Sequence, residues 1–239
     1  MDTASRSPKA KAAAEEKKHI SHHVADFLRK YRVVLLGILA AVVLVIIGVA
    51  VWTAISDSRA KSSTLAIEKA EDAFSAYQAE SDQTKKPELE KQLLASLDSV
   101  IKSWPHLYAA QKAYTIEAKL AEDKKDWEGA EKAWLAASLV LPTDFLAPLA
   151  LQSAATAAEE RGASDKAAEY YKRLVDKYNG SSIGIPHAFF ALGRISEEAK
   201  DYGSAVGYYE KIVAGYPDDD WTKLAKDRIL FLKSQGLLK

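Results

Sequence analysis

Three histidines, His19, His22 and His23, stand at i, i+3 and i+4, a spacing that on a helix brings imidazoles together for one transition-metal ion. The same run carries Ile20, Val24, Phe27, Leu28 and Tyr31 at helical spacing beside Arg29, Lys30 and Arg32. It therefore reads equally as an amphipathic segment on the inner membrane surface, cations near acidic headgroups, or as a helical extension of the apolar stretch that follows. Asp218, Asp219 and Asp220 could hold a hard cation through carboxylates, but no further oxygen ligands stand at a fixed spacing. One of the three is expected to cap a helix N-terminus instead. Glu159 with Glu160, and Glu197 with Glu198, read as solvated helix faces. The run Gly180 to Gly184 is too short for a phosphate loop and follows no strand pattern, so it reads as a connecting loop. The chain contains no cysteine, which removes thiol nucleophiles, a lipid-anchored cysteine and any disulfide framework. No G-x-S-x-G, H-E-x-x-H, Walker or dinucleotide-binding pattern occurs. The expectation is a protein that is not an enzyme, with no metal site and no cofactor.

The elements that carry these residues are more informative than the residues. Val33 to Ile55 is 23 residues without a charge, about 34 Å as a helix, enough to cross a hydrocarbon core of about 30 Å. A cleaved signal peptide has an apolar region of only about 7–15 residues, so the reading is an uncleaved signal anchor, a single transmembrane helix over 33–55. Residues 1–32, a basic tail, hold eight basic and four acidic groups, which places the N-terminus in the cytoplasm and residues 56–239 across the membrane. Those residues carry 25 basic and 29 acidic side chains, a balance that argues against nucleic acid as a partner.

Beyond the span the chain repeats itself. Ala130, Ala167 and Ala205 are each followed four residues later by an aromatic, Trp134, Tyr171 and Tyr209, one helical turn on and on the same face. Pro105, Pro142, Asn179 and Pro217 close successive units at steps of 37, 37 and 38, the regime of helical-repeat arrays. Each unit also has an upstream helix; in the last, His187 to Ala199, the small Gly193 would let a partner helix approach closely. Ser58 to Glu80 and Pro87 to Ser103 read as a degenerate first hairpin, with Leu93 in the alanine place. A last helix, covered inward by Trp221, Leu224, Ala225, Arg228, Ile229 and Leu232, reads as a cap. The fold class is all-α: one transmembrane helix, then an α-solenoid of three clear hairpins, one degenerate hairpin and a capping helix. Added loop residues such as Ser182 to Ile185 account for the long repeat.

Phe189, Leu192, Gly193, Asp201, Tyr202, Ala205, Tyr209 and Pro217 together resemble the tetratricopeptide repeat pattern, as do Leu151, Ala154, Ala155, Gly162, Ala167 and Tyr171 one unit earlier. Tyr114, Ala118, Asp126, Trp127, Ala130, Trp134 and Pro142 follow it one unit before that, with Glu117 where leucine is usual. The resemblance implies a concave face lined by the first helix of each unit and suited to protein segments. Carried over position by position, it consists of Lys112, Thr115 and Lys119, then Gln152, Thr156 and Glu159, then His187, Phe190 and Arg194. Thr115, Gln152 and Thr156 depart from the lysines and asparagines of versions that clamp a C-terminal carboxylate. The architecture resembles YfgM-like proteins, bacterial inner-membrane subunits associated with the Sec translocon and periplasmic chaperones. That likeness implies a single-pass inner-membrane protein with a periplasmic C-terminal domain. Its partners would be translocon, chaperone or client proteins and the bilayer, with no nucleic acid and no small-molecule substrate. The alternative is a structural subunit of an envelope machine for secretion, motility or outer-membrane assembly.

Overall fold

A computed structural model describes residues 8–180 and 182–238, with side chains from Leu28 on; the side chains of His19, His22 and His23 lie outside the described residues. Every element among the described residues is helical. Packing separates residues 1–59 from residues 60–239, and helix α1 (Pro8–Ala79) contributes to both. In the first unit α1 is unbroken through residues 20–31 and on into the apolar stretch. Side chains of that stretch face outward, Val33 at 74%, Leu36 at 63% and Trp52 at 70% exposure. By length and composition this helix could cross a membrane.

The second unit is built from hairpins. The end of α1 pairs with α2 (Lys86–Ser103), α3 (Tyr108–Asp123) with α4 (Trp127–Val140), α5 (Leu146–Glu160) with α6 (Ser164–Tyr178), and α7 (Ile185–Glu198) with α8 (Tyr202–Gly215); α9 (Asp220–Ser234) follows. From α2 onward each helix packs on its neighbour in sequence, and α9 also reaches α7. This is the contact pattern of an array in which no hairpin buries its apolar face alone. Ala130, Ala167 and Ala205 are fully buried, and so is Tyr209, while Tyr171 is 1% and Trp134 9% exposed. The alanine allows the close approach that the aromatic one turn later fills. The approach is closest at Gly193, where a Cβ would stand 2.4 Å from the Tyr209 ring.

Three hairpins share one turn. Lys125, Gly162 and Lys200 adopt positive φ of 58°, 78° and 60°, and the amide that follows each donates back to Ala121, Ala158 or Ser196 at 2.8 Å. This is the left-handed closure that satisfies carbonyls at a helix C-terminus. Asp126 and Asp201 then cap the following helix through the Gly129 and Ser204 amides. The first hairpin turns differently: Asp82 accepts from the Thr84 amide at 2.9 Å. Only Gly162 has the residue type suited to the left-handed conformation, which costs an ordinary L-residue about 1–2 kcal/mol. Lys125→Gly and Lys200→Gly should therefore each raise stability by about 0.5–1 kcal/mol after the extra chain entropy of glycine, while Gly162→Ala lowers it. Urea unfolding of the three variants checks this.

Several sequence expectations need adjusting. Ile185, assigned to a loop, starts α7 and is fully buried, because Pro186 in the first turn sets helical φ and lacks an amide hydrogen that needs a partner. Leu224 is 46% exposed rather than covering the last hairpin. Asp219 is the capping member of its triplet and accepts from the Trp221 amide at 2.9 Å. Asn179, standing where other units have proline, accepts from the Tyr216 hydroxyl at 3.1 Å; one unit earlier, Tyr178 donates to the Pro142 carbonyl at 2.9 Å. The two contacts tie the ends of α6 and α8 to the end of the preceding unit.

Candidate protein-interaction surface

Glu122, Glu159 and Glu197 stand eight residues before Ala130, Ala167 and Ala205, at the end of each first helix. The Trp134 indole donates to Glu122 at 2.6 Å and the Tyr209 hydroxyl to Glu197 at 2.6 Å; the Tyr171 hydroxyl lies near Glu159. The next unit adds a cation, Arg194 to Glu159 and Arg228 to Glu197. Glu159 and Glu197, expected on solvated faces, are therefore turned inward, and their neighbours Glu160 and Glu198 are exposed. The aromatic hydroxyls and arginines supply the partners a carboxylate needs on leaving water. Burial also pushes the Tyr171 phenol up to about 12.

The surface residues expected from the sequence line the first helices, and the structure joins them in two groups. Gln152 and His187 meet at 3.2 Å, Thr156 lies 3.5 Å from the Tyr171 hydroxyl, and Glu159 pairs with Arg194, which also donates to Glu198. The His187 ring packs 4.8 Å from Trp221, and Phe190 stands between Tyr209 and Trp221 at 5.3 Å and 5.0 Å. Burial, with Arg194 nearby, lowers the His187 pKa, so the ring is neutral at pH 7. On α3, Lys112 pairs with Glu71 of α1, Thr115 donates to the Gln111 carbonyl at 3.0 Å, and Lys119 is exposed. Of the nine, Lys119 and Thr156 are exposed and the other seven half-buried; much of their polarity is spent on one another. Nothing in this arrangement places a nucleophile beside a base, and among the described residues no three His, Asp or Glu side chains gather to hold a metal.

A second set was not read from the sequence. Tyr108, Phe145 and Ile183 recur at steps of 37 and 38 where the chain enters α3, α5 and α7, as the first residue of α3, one residue before α5 and two before α7, and are 44%, 69% and 92% exposed. Leu149, one turn after Phe145, adds 41%. Stepping the repeat interval along the residues at the entry to each first helix would have found them, because core positions are apolar for packing and these are apolar without it.

Comparison with known proteins agrees with this architecture. Residues 149–181 and 187–219 match the family model "Tetratricopeptide repeat". A "TPR repeat-containing protein" of Treponema pallidum (strain Nichols) is 28% identical over 148 residues, which is 62% of this chain and 61% of that protein. The chain thus spans under two thirds of this relative's length. The two matched segments fall on the α5–α6 and α7–α8 hairpins, which are tetratricopeptide repeats.

Proposed function

We propose that this is a membrane-tethered, non-enzymatic interaction module that holds client or partner proteins on the extracytoplasmic face of a bacterial inner membrane. The observation that carries the reading is the ridge of Tyr108, Phe145 and Ile183, apolar and exposed at one position in three successive units. Scattered single apolar residues on a surface need no explanation, but the same position repeated suits a segment that meets the array at several points and gains affinity from their number. The first-helix face beside it, with Thr156 and Lys119 exposed, supplies polar contacts. Tethering is supported by the uncharged Val33–Ile55 stretch, with Tyr31 and Trp52 near its ends as interfacial anchors. The basic tail supports a cytoplasmic N-terminus. The likeness in architecture to YfgM-like proteins supports a place beside translocon and chaperone proteins.

The absence of cysteine makes the test clean. Phe145→Cys and Ile183→Cys, in cells with a permeabilised outer envelope, should react with a membrane-impermeant maleimide; carrying a photo-crosslinker, they should trap protein. Trapping should fall at least several-fold when Tyr108 and the other ridge residue are changed to Asp. Labelling only after the inner membrane is lysed sinks the topology, and trapping indifferent to the Asp changes sinks the ridge. One fixed partner in stoichiometric yield would instead mark a subunit of a larger envelope machine.

A further inference from the structure

One seat in the array is open. In α7, Phe189, Leu192 and Gly193 are buried on the side that α8 covers. Helix α9 takes the place of another first helix: it packs on α8 and α7, and Arg228 reaches Glu197 as Arg194 reaches Glu159. In that register Lys223, Lys226 and Asp227 of α9 replace the buried residues of α7, and no helix among the described residues covers them. Leu230, one turn beyond Lys226, is 68% exposed. Between α8 and α9 lies a groove of about 450 Å³ lined by Val213, Ala214, Ile229 and Leu230, with Lys226 and Lys233 from α9 and Glu210 from α8.

We infer that this groove docks an amphipathic helix of a partner protein, one with acidic side chains along the α9 flank of its apolar seam. Charge identifies the occupant. Lys226 and Lys233, which line the groove, and Lys223 one turn before Lys226 appear in no ion pair among the described residues. They form a stripe on one side of α9, in a domain with more acids than bases. Lys226 and Lys233 on the α9 side of the groove, facing Glu210 on the α8 side, favour an occupant whose acidic flank lies along α9. A second copy docking through its own α9 would bring the same lysines face to face, against the self-complementarity that such pairing requires. The recess between two helices also fits a helix lying in a groove better than a flat lipid surface. This surface is separate from the apolar ridge, so either can fail alone.

The test uses the full chain in neutral-lipid nanodiscs and a displayed library of 16-residue helices. Seam positions vary among Leu, Ile and Ala, and flanks among Glu, Gln and Lys. Selected helices should be enriched in Glu on one flank and bind less tightly as salt rises. Leu230→Asp, a change at an exposed site, and the pair Lys226→Glu with Lys233→Glu should each weaken them at least tenfold. No binders, flanks that select Gln or Lys, or binding indifferent to Leu230→Asp would overturn the assignment. So would displacement of the helices by anionic lipid, which points to a membrane surface, or self-association abolished by Leu230→Asp, which points to a second copy.

Discussion

Gly193→Leu should cost about 3 kcal/mol, at the upper end of what overpacking a core does, and the loss should be confined to the C-terminal part of the array. A Cβ at this position would meet three Tyr209 ring atoms at 2.4, 2.7 and 2.9 Å, and Tyr209 is itself fully buried, so the ring has nowhere to turn. Relief requires α7 and α8 to separate, which uncovers Leu192 and Ile212 together. Gly193→Ala should cost less, because better helix propensity returns about 1 kcal/mol against the same clash. Since repeats contact only their neighbours, urea unfolding followed by circular dichroism should show an early transition of partial amplitude, and limited proteolysis should cut first within α7–α9. Pairing Gly193→Ala with Tyr209→Leu should cost less than the sum of the two, because the clash and the ring it strikes are removed together. A single unshifted transition for Gly193→Leu would mean that the helices are not held at this distance in solution.

The hairpins were legible because alanine, aromatic and loop-closing residues recur at a fixed step, and periodicity survives even where the residue type drifts, as at Asn179. What the sequence hid was contact between units. Glu159 looked like a solvated acid because it sits beside Glu160, yet the inward member of each acid pair is chosen by helix rotation and by an arginine 31 or 35 residues away in the chain. No local pattern announces such a partner. The fixed offset of eight residues from acid to alanine was the available signal. Surface residues were harder: Phe190 and His187 were placed on an open face by family position, but Trp221 of the cap comes down on both, and a terminal helix in shortened register is not predictable from repeat spacing. Lys223 and Lys226 look like ordinary solubilising residues until α9 is seen standing where a first helix would stand.

The two inward acids make opposite use of the same position, and that gives the second large prediction. At Glu197 burial pushes the carboxyl up, but Arg228, donating from two nitrogens, and the Tyr209 hydroxyl outweigh it and hold the group below its ordinary 4.5. At Glu159 burial wins over Arg194 and Tyr171, and the group lies above its ordinary value; one of its oxygens is buried without a partner among the described residues. Glu197→Gln should therefore cost about 1.5–3 kcal/mol at pH 7, the range for hydrogen bonds to a charged group, toward the lower end because Arg228 is 40% exposed and screened. Glu159→Gln should change stability by less than about 0.5 kcal/mol, because the charge it removes was already disfavoured by desolvation. The pH dependence separates the two. A lowered folded-state value gives Glu197 a contribution that is present above pH 4.5 and lost as pH falls from there through the folded-state value, so wild type and Glu197→Gln should converge below the folded-state value. A raised value gives Glu159 the reverse: its contribution is present below pH 4.5 and disappears as pH rises through the folded-state value. Urea titrations of both variants at pH 7 and in acid decide the matter, and equal costs at pH 7 would show that the forked arginine at Glu197 does not set the difference.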